Sequence, residues 1–245
     1  MTQKTPVRYK QERDPKVALI LAAEVAFARD GIDGASLREV AARAGQRNHH
    51  AVQYHFGSRE ALVQAVFDFR MDQMETARAN MLEAARKAGR INTTLAMVEA
   101  IFLPQIDLID EHGDNSYAAF LSQYLLRYQG RRFGDFGEGM APHLGEALHL
   151  LRERMAALPE AVAQRRLVTA CFMFLNILVI HTRGNNSGGE DFEAAMSDTL
   201  GQIVLALEAH IPCRAHVVAL WLRPAECSAC GVIGRLLHEL GLPQR

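Results

Sequence analysis

The chain has 245 residues, 49% of them hydrophobic, with 27 Lys and Arg against 28 Asp and Glu and a formal net charge of -1. Its length is above the usual single domain and its apolar content is enough for a substantial core. Residues 1–16 lack an apolar h-region, and the longest apolar stretch, residues 167–180, is interrupted by Thr169 and Asn176 and falls short of the about 20 residues that span a bilayer, so neither an export signal nor a membrane span is expected and the cytoplasm is the default.

In chain order, residues 1–13 form a polar, basic arm with Pro6, in which Lys4, Arg8, Lys10 and Arg13 lead up to Lys16. Asp14-Pro15 offers an N-cap followed by proline at the first helical position, where the missing N–H loses no hydrogen bond. Leu19, Ile20, Ala23, Ala26 and Phe27 then recur at helical spacing, and Gly31 is placed to stop the run in a left-handed conformation. Ser36-Leu37-Arg38-Glu39 is a capping box that opens a second helix over residues 37–44, with Val40 and Ala41 on its apolar face. Gly45 supplies a sharp turn. Asn48 then caps a third helix running through His55, in which only Ala51, Val52 and Phe56 look buried.

From Ser58 onward the helical pattern persists, with Leu62, Val66 and Phe69 opening a helix that continues, after a bend, through Met74, Met81 and Leu82. Breaks fall near Gly89-Arg90, at Pro104, across residues 112–115, through residues 129–139, at Pro159 and across residues 184–189, leaving six or so helices in this half. Residues 160–183 are apolar nearly all round, and residues 190–210 carry one apolar stripe. No strand alternation is seen. The expectation is an all-α protein: an arm (1–13), a three-helix bundle containing a helix-turn-helix (14–57), a larger helical domain (58–211) and a helical C-terminal extension (212–245).

The third helix exposes Arg47, Asn48, His49, His50, Gln53, Tyr54 and His55 on one short segment, a surface made of hydrogen-bonding groups. Asn and Gln pair bidentately with adenine, Arg with guanine, and neutral His does either more weakly. Ser36 and Arg38 at the start of helix two, Tyr54 and His55 at the end of helix three, and Arg59 with the N–H groups at the start of helix four suit phosphate oxygens. His49 and His50 diverge by about 100 degrees on a helix, so they do not read as a metal site. Residues 1–70 hold 11 Lys and Arg against 8 Asp and Glu, an excess of +3, while the remainder holds 16 against 20, or -4. A weakly basic head on an acidic body suits one short double-stranded operator better than the coating of DNA, and the arm could enter an adjacent minor groove.

Three segments carry a specific resemblance: Phe27-Ala28-Arg29-Asp30-Gly31, Ser36-Leu37-Arg38-Glu39-Val40-Ala41-Ala42-Arg43-Ala44-Gly45, and Tyr54-His55-Phe56-Gly57-Ser58-Arg59-Glu60. Together they resemble the TetR family of bacterial repressors over the N-terminal quarter of the chain. Residues 45–51 hold one residue more than the usual turn of that family, so Gln46 to His50 do not match it one to one. The resemblance implies a homodimer formed by the last helices of the body, with Phe172, Leu175, Val179, Phe192, Met196, Leu200, Ile203 and Leu207 at the interface. Two such heads would read a palindrome, and a ligand that favours wrongly spaced heads would relieve repression.

For the effector, Tyr117, Phe120, Tyr124 and Tyr128 at roughly helical spacing, with Met97, Phe102, Met173 and Phe174, suggest a pocket for a small apolar molecule, and Asn176 would orient its polar end. Arg127, Arg131 and Arg132 could hold an acid group or form a solvated face. The last 33 residues hold Cys213, Cys227 and Cys230, the latter two as one C-x-x-C, with His216 and His238 in reach; a metal- or thiol-sensing regulator is therefore the alternative reading. No metal site or cofactor is otherwise indicated. An enzyme is disfavoured because G-x-S-x-G, H-E-x-x-H and a phosphate loop are all lacking.

Overall fold

The computed structural model describes residues 14–127, 141–181 and 191–209. The arm, Tyr128, Arg131, Arg132, the loop residues 134–139 and the C-terminal extension with its three cysteines lie outside them. Among the described residues every regular element is helical. They are α1 (Pro15–Asp30), α2 (Leu37–Arg43), α3 (Ala51–Phe56), α4 (Arg59–Lys87), α5 (Thr94–Phe102) with a 3-10 turn over Leu103–Gln105, α6 (Ser116–Arg127), α7 (Pro142–Arg154), α8 (Glu160–Ile180) and α9 (Phe192–Glu208).

Local chemistry sets the boundaries. Asp14 accepts the Lys16 N–H at 2.8 Å, Ser36 the Glu39 N–H at 3.4 Å, Ser58 the Ala61 N–H at 3.1 Å, Thr93 the Ala96 N–H at 3.2 Å and Asp191 the Ala194 N–H at 3.2 Å, so each of these helix starts has a side-chain cap. Gly31 ends α1 at φ 83° and ψ 154°, an extended conformation open to glycine alone and different from the left-handed helical one expected. Gly45 ends α2 at φ 69° as part of a Schellman motif: the Gln46 N–H bonds the Ala41 carbonyl at 2.9 Å and the Gly45 N–H bonds that of Ala42 at 3.0 Å.

Three expectations change. The third helix starts at Ala51 and not just after Asn48, because the Asn48 carboxamide accepts the His50 N–H at 2.9 Å and closes a turn of its own before the helix begins. The bend expected in α4 does not interrupt it: 29 residues form one continuous helix from the edge of the head into the body. The apolar helix near residue 170 runs to 21 residues, long and apolar enough by length and composition to cross a membrane. It packs instead as a core helix against α6 and α9, with Leu167, Ala170, Cys171, Phe174, Leu175 and Leu178 buried.

α1 is the centre of the head, packed on α2, α4 and α6. Its buried Leu19, Ala23 and Phe27 meet Val40 and Ala41 of α2, Ala51 and Val52 of α3, and Leu62, Val63 and Val66 of α4 in one cluster. In the body α5 lies among α4, α7 and α9, while α6 and α9 both pack on α8.

Eight residues expected at a subunit interface divide in two. Leu175, Met196, Leu200, Ile203 and Leu207 are buried inside the single chain, because the apolar stripe of α9 is used up against α8 and α5. Phe172 and Phe192 are half-buried, and only Val179 is exposed, at 40%. The sequence reading missed Leu205, 72% exposed on the outer side of α9.

Candidate nucleic-acid interface

α2, the turn over residues 44–50 and α3 form a helix-turn-helix whose back is apolar and whose front is polar. Ala51 and Val52 are buried and Phe56 half-buried, which fixes the rotation of α3 and leaves Gln53 and Tyr54 outward. Tyr54 is 80% exposed, and its ring meets that of His55 edge-on at 4.9 Å. Arg38, Arg47, His49, His50 and Gln53 are exposed as well.

Arg47, Asn48, His49 and His50 therefore stand on the turn and not on a helix face. Their spacing is that of an irregular loop at the head of α3. Three of the ten residues expected at DNA are engaged within the protein: the Ser36 hydroxyl caps α2, the Asn48 side chain closes its turn, and Arg59 is tied down. Arg59 Nη1 donates to the Ile32 carbonyl at 2.7 Å and the Ala35 carbonyl at 2.8 Å, pinning the start of α4 to the loop between α1 and α2. Neither partner was legible locally, since both are more than twenty residues away. His55 is half-buried. Arg43, exposed at the end of α2, shares a groove with Leu21, Phe69 and Asp110 and does not join this surface.

Behind this surface the head is joined to the body by polar contacts. The Gln123 carboxamide on α6 accepts the Ile32 N–H at 3.1 Å and donates to the Ala28 carbonyl at 3.2 Å. Arg127, one turn further, pairs with Asp33 and lies 3.5 Å from Glu60. Arg70 of α4 and Glu24 of α1, 6% and 1% exposed, form a bidentate pair at 2.6 and 2.7 Å, and the Ser116 hydroxyl of α6 donates to Glu24 at 2.8 Å. A carboxylate between Ile20 and Phe27 on the apolar face of α1 was the signal for this buried pair, which residue-by-residue reading passed over.

The residues expected to line one effector pocket do not share one. Met97, Phe102, Tyr117, Phe120, Tyr124 and Phe174 are buried in the core. Phe102 stacks on Phe174 at 5.2 Å, Tyr124 stacks on Phe67 at 4.7 Å, and the Tyr124 hydroxyl meets Gln64 at 3.1 Å. Met173 and Asn176 lie on the outer side of α8, in an open apolar groove of about 590 Å³ shared with Ala119, Ser122, Phe172 and Val179. Among the described residues no group of three or more His, Cys, Asp or Glu side chains comes together as a metal site. Burial pushes the thiol of Cys171 up to about 12, which removes its nucleophilic form at neutral pH.

Residues 19–66 match the family model described as bacterial regulatory proteins, tetR family. A solved structure from Mesorhizobium loti MAFF303099, described as a TetR-family transcriptional regulator, is 18% identical over 81% of this chain and 98% of its own, with a TM-score of 0.37. Comparison with curated protein sequences gives no match. Most of α1, the helix-turn-helix and the first turns of α4 lie inside the matched segment, so this N-terminal part of the chain is a DNA-binding region of the kind found in the TetR family of bacterial transcriptional regulators.

Proposed function

We propose that the protein is a homodimeric, ligand-relieved repressor that binds a palindromic operator in the cytoplasm, and that it is not an enzyme. The polar front of the helix-turn-helix carries this reading: Gln53 and Tyr54 project from α3, and Arg38, Arg47, His49 and His50 surround them, all exposed while the apolar back is buried. Gln53 and Arg47 are the base readers, and Arg38 and Tyr54 hold phosphates.

Two heads are needed because one covers only a few base pairs. The exposed Val179, Ile180 and Leu205, with half-buried Phe172 and Met173 beside them, support a dimer face built from α8 and α9. α6 touches both α8 and α1, which supports relief of repression through the position of the head.

The test is a mobility shift on the DNA flanking the protein's own gene, with random DNA as competitor and salt varied. Competitor-resistant binding with a steep salt slope is expected. Gln53→Ala and Tyr54→Ala should each weaken operator binding by about 1–3 kcal/mol while leaving circular dichroism and oligomeric state unchanged. Equal affinity for operator and random DNA, followed by no enriched site in a selection from random sequences, would refute the proposal.

A further inference from the structure

Arg78, on the body half of α4, is 1% exposed and heads the largest fully buried side chains of the described residues. For a guanidinium it is poorly partnered. Nη1 lies 3.3 Å from the Met71 carbonyl and 3.2 Å from Glu75 Oε1. Among the described residues, Nη2 meets only thioether sulfurs, of Met74 at 3.4 Å and Met71 at 3.9 Å, and Nε has no partner.

Thioethers are weak acceptors, and Glu75 is shared, since it also accepts the backbone N–H groups of His143 and Leu144 and lies 3.0 Å from His143 Nδ1. A buried charge with this little compensation is costly, and burial presses the Arg78 guanidinium below its ordinary value despite Glu75. Among the described residues, two more buried polar atoms lack partners: Gln105 Oε1 and the Tyr117 hydroxyl, the latter within electrostatic reach of Arg78. Arg78 and Gln105 line a cavity of about 30 Å³ whose other walls, among them Met71, Phe102, Leu121 and Leu144, are apolar.

We propose that this cavity is the head-group site for an apolar carboxylic acid, with Arg78 Nε donating to the carboxylate and Gln105 Oε1 accepting from a hydroxyl beside it. The volume matches the polar head alone; the tail takes the space that Met71, Leu121 and Leu125 yield by changing rotamer. This names the effector class of the regulator proposed above and rests on that reading for its consequence. α4 carries Arg78 in the body and, two turns earlier, the Arg70 that grips Glu24 of α1, so an acid that shifts α4 shifts the head.

The test is calorimetric titration of the full chain with octanoate, 3-hydroxyoctanoate and 1-octanol. Both acids should bind, with octanol weaker by about ten-fold or more. Arg78→Met should bind octanoate no better than the wild type binds octanol. Gln105→Leu removes an unpartnered polar atom; it should melt no lower than wild type without ligand while binding 3-hydroxyoctanoate several-fold more weakly, a pair of effects that a structural role would not produce.

The proposal is overturned if neither acid binds at millimolar concentration, in which case the cavity holds only water, or if octanol binds as well as octanoate. Wild-type octanoate affinity in folded Arg78→Met overturns it equally. Should that variant not fold, unchanged 3-hydroxyoctanoate affinity in Gln105→Leu does the same. No DNA is present in the titration, so a failure of operator binding bears on the regulator reading and leaves the acid site standing.

Discussion

At the scale of single residues, Arg38 and Arg59 look alike in sequence, each an arginine in the first turn of a helix at the edge of the DNA-binding head. The structure separates them: Arg38 is exposed, whereas Arg59 spends Nη1 on two carbonyls of the α1–α2 loop. Arg59→Met is accordingly expected to lower unfolding free energy by about 1–3 kcal/mol, because two acceptors lose their donor, with no change in the salt slope of DNA binding. Arg38→Met should do the reverse, leaving urea unfolding unchanged and reducing the salt slope by about one. Measuring both quantities on both variants checks the pair. Glu75 offers a pH test. Burial pushes its carboxyl up, but hydrogen bonds from the His143 backbone and ring and from Arg78 outweigh that and hold it below its ordinary value. A depressed carboxylate contributes stability above the ordinary carboxylate range and loses it as pH falls through the depressed value. The wild type should therefore lose stability more steeply than Glu75→Gln between about pH 5 and pH 3, as read by urea midpoints across that range.

At the scale of elements, capping residues and glycines made most helix ends legible. Asp14, Ser36, Ser58, Gly45 and Gly89 act through hydrogen bonds reaching no more than five residues, so their effect is local and readable. α3 was misread because Asn48, a good N-cap, forms a competing turn with its own neighbour's N–H, and nothing in the local pattern tells the two uses apart. The contact of α1 with α4 and α6 was invisible for the opposite reason: Glu24, Arg70 and Ser116 are brought together from positions 46 and 92 residues apart. Glu24→Gln should reduce stability by about 3 kcal/mol, since it strands a buried guanidinium, and the double variant Glu24→Met with Arg70→Met should regain much of that loss. Chemical unfolding of the wild type and both variants would decide; a double variant no more stable than Glu24→Gln would mean that the pair is not coupled.

At the scale of the whole molecule, assembly turns on the face of α8 and α9. Five residues assigned to it by resemblance are core, while Val179, Ile180 and Leu205 are exposed. Because these side chains face outward, Val179→Asp and Leu205→Glu should leave the fold intact and shift the protein to monomer in sedimentation experiments. Operator affinity should fall by about two orders of magnitude as the second head is lost. A monomeric wild type, or dimeric variants, would place the interface elsewhere.

By itself, the sequence determined most of the helices, the helix-turn-helix and the family resemblance of the head, because caps, turn glycines and apolar periodicity operate over a few residues and repeat in recognisable order. Which of two apolar faces is covered, which arginine is exposed and which is tied down, and where buried polar atoms lack partners were decided only by tertiary structure. Each depends on residues distant in the chain arriving at the same place: Arg59 at the Ile32 carbonyl, Gln123 at the Ile32 N–H, and Arg78 beside Gln105 in one cavity. Burial and pairing are properties of that meeting, and no single segment carries them.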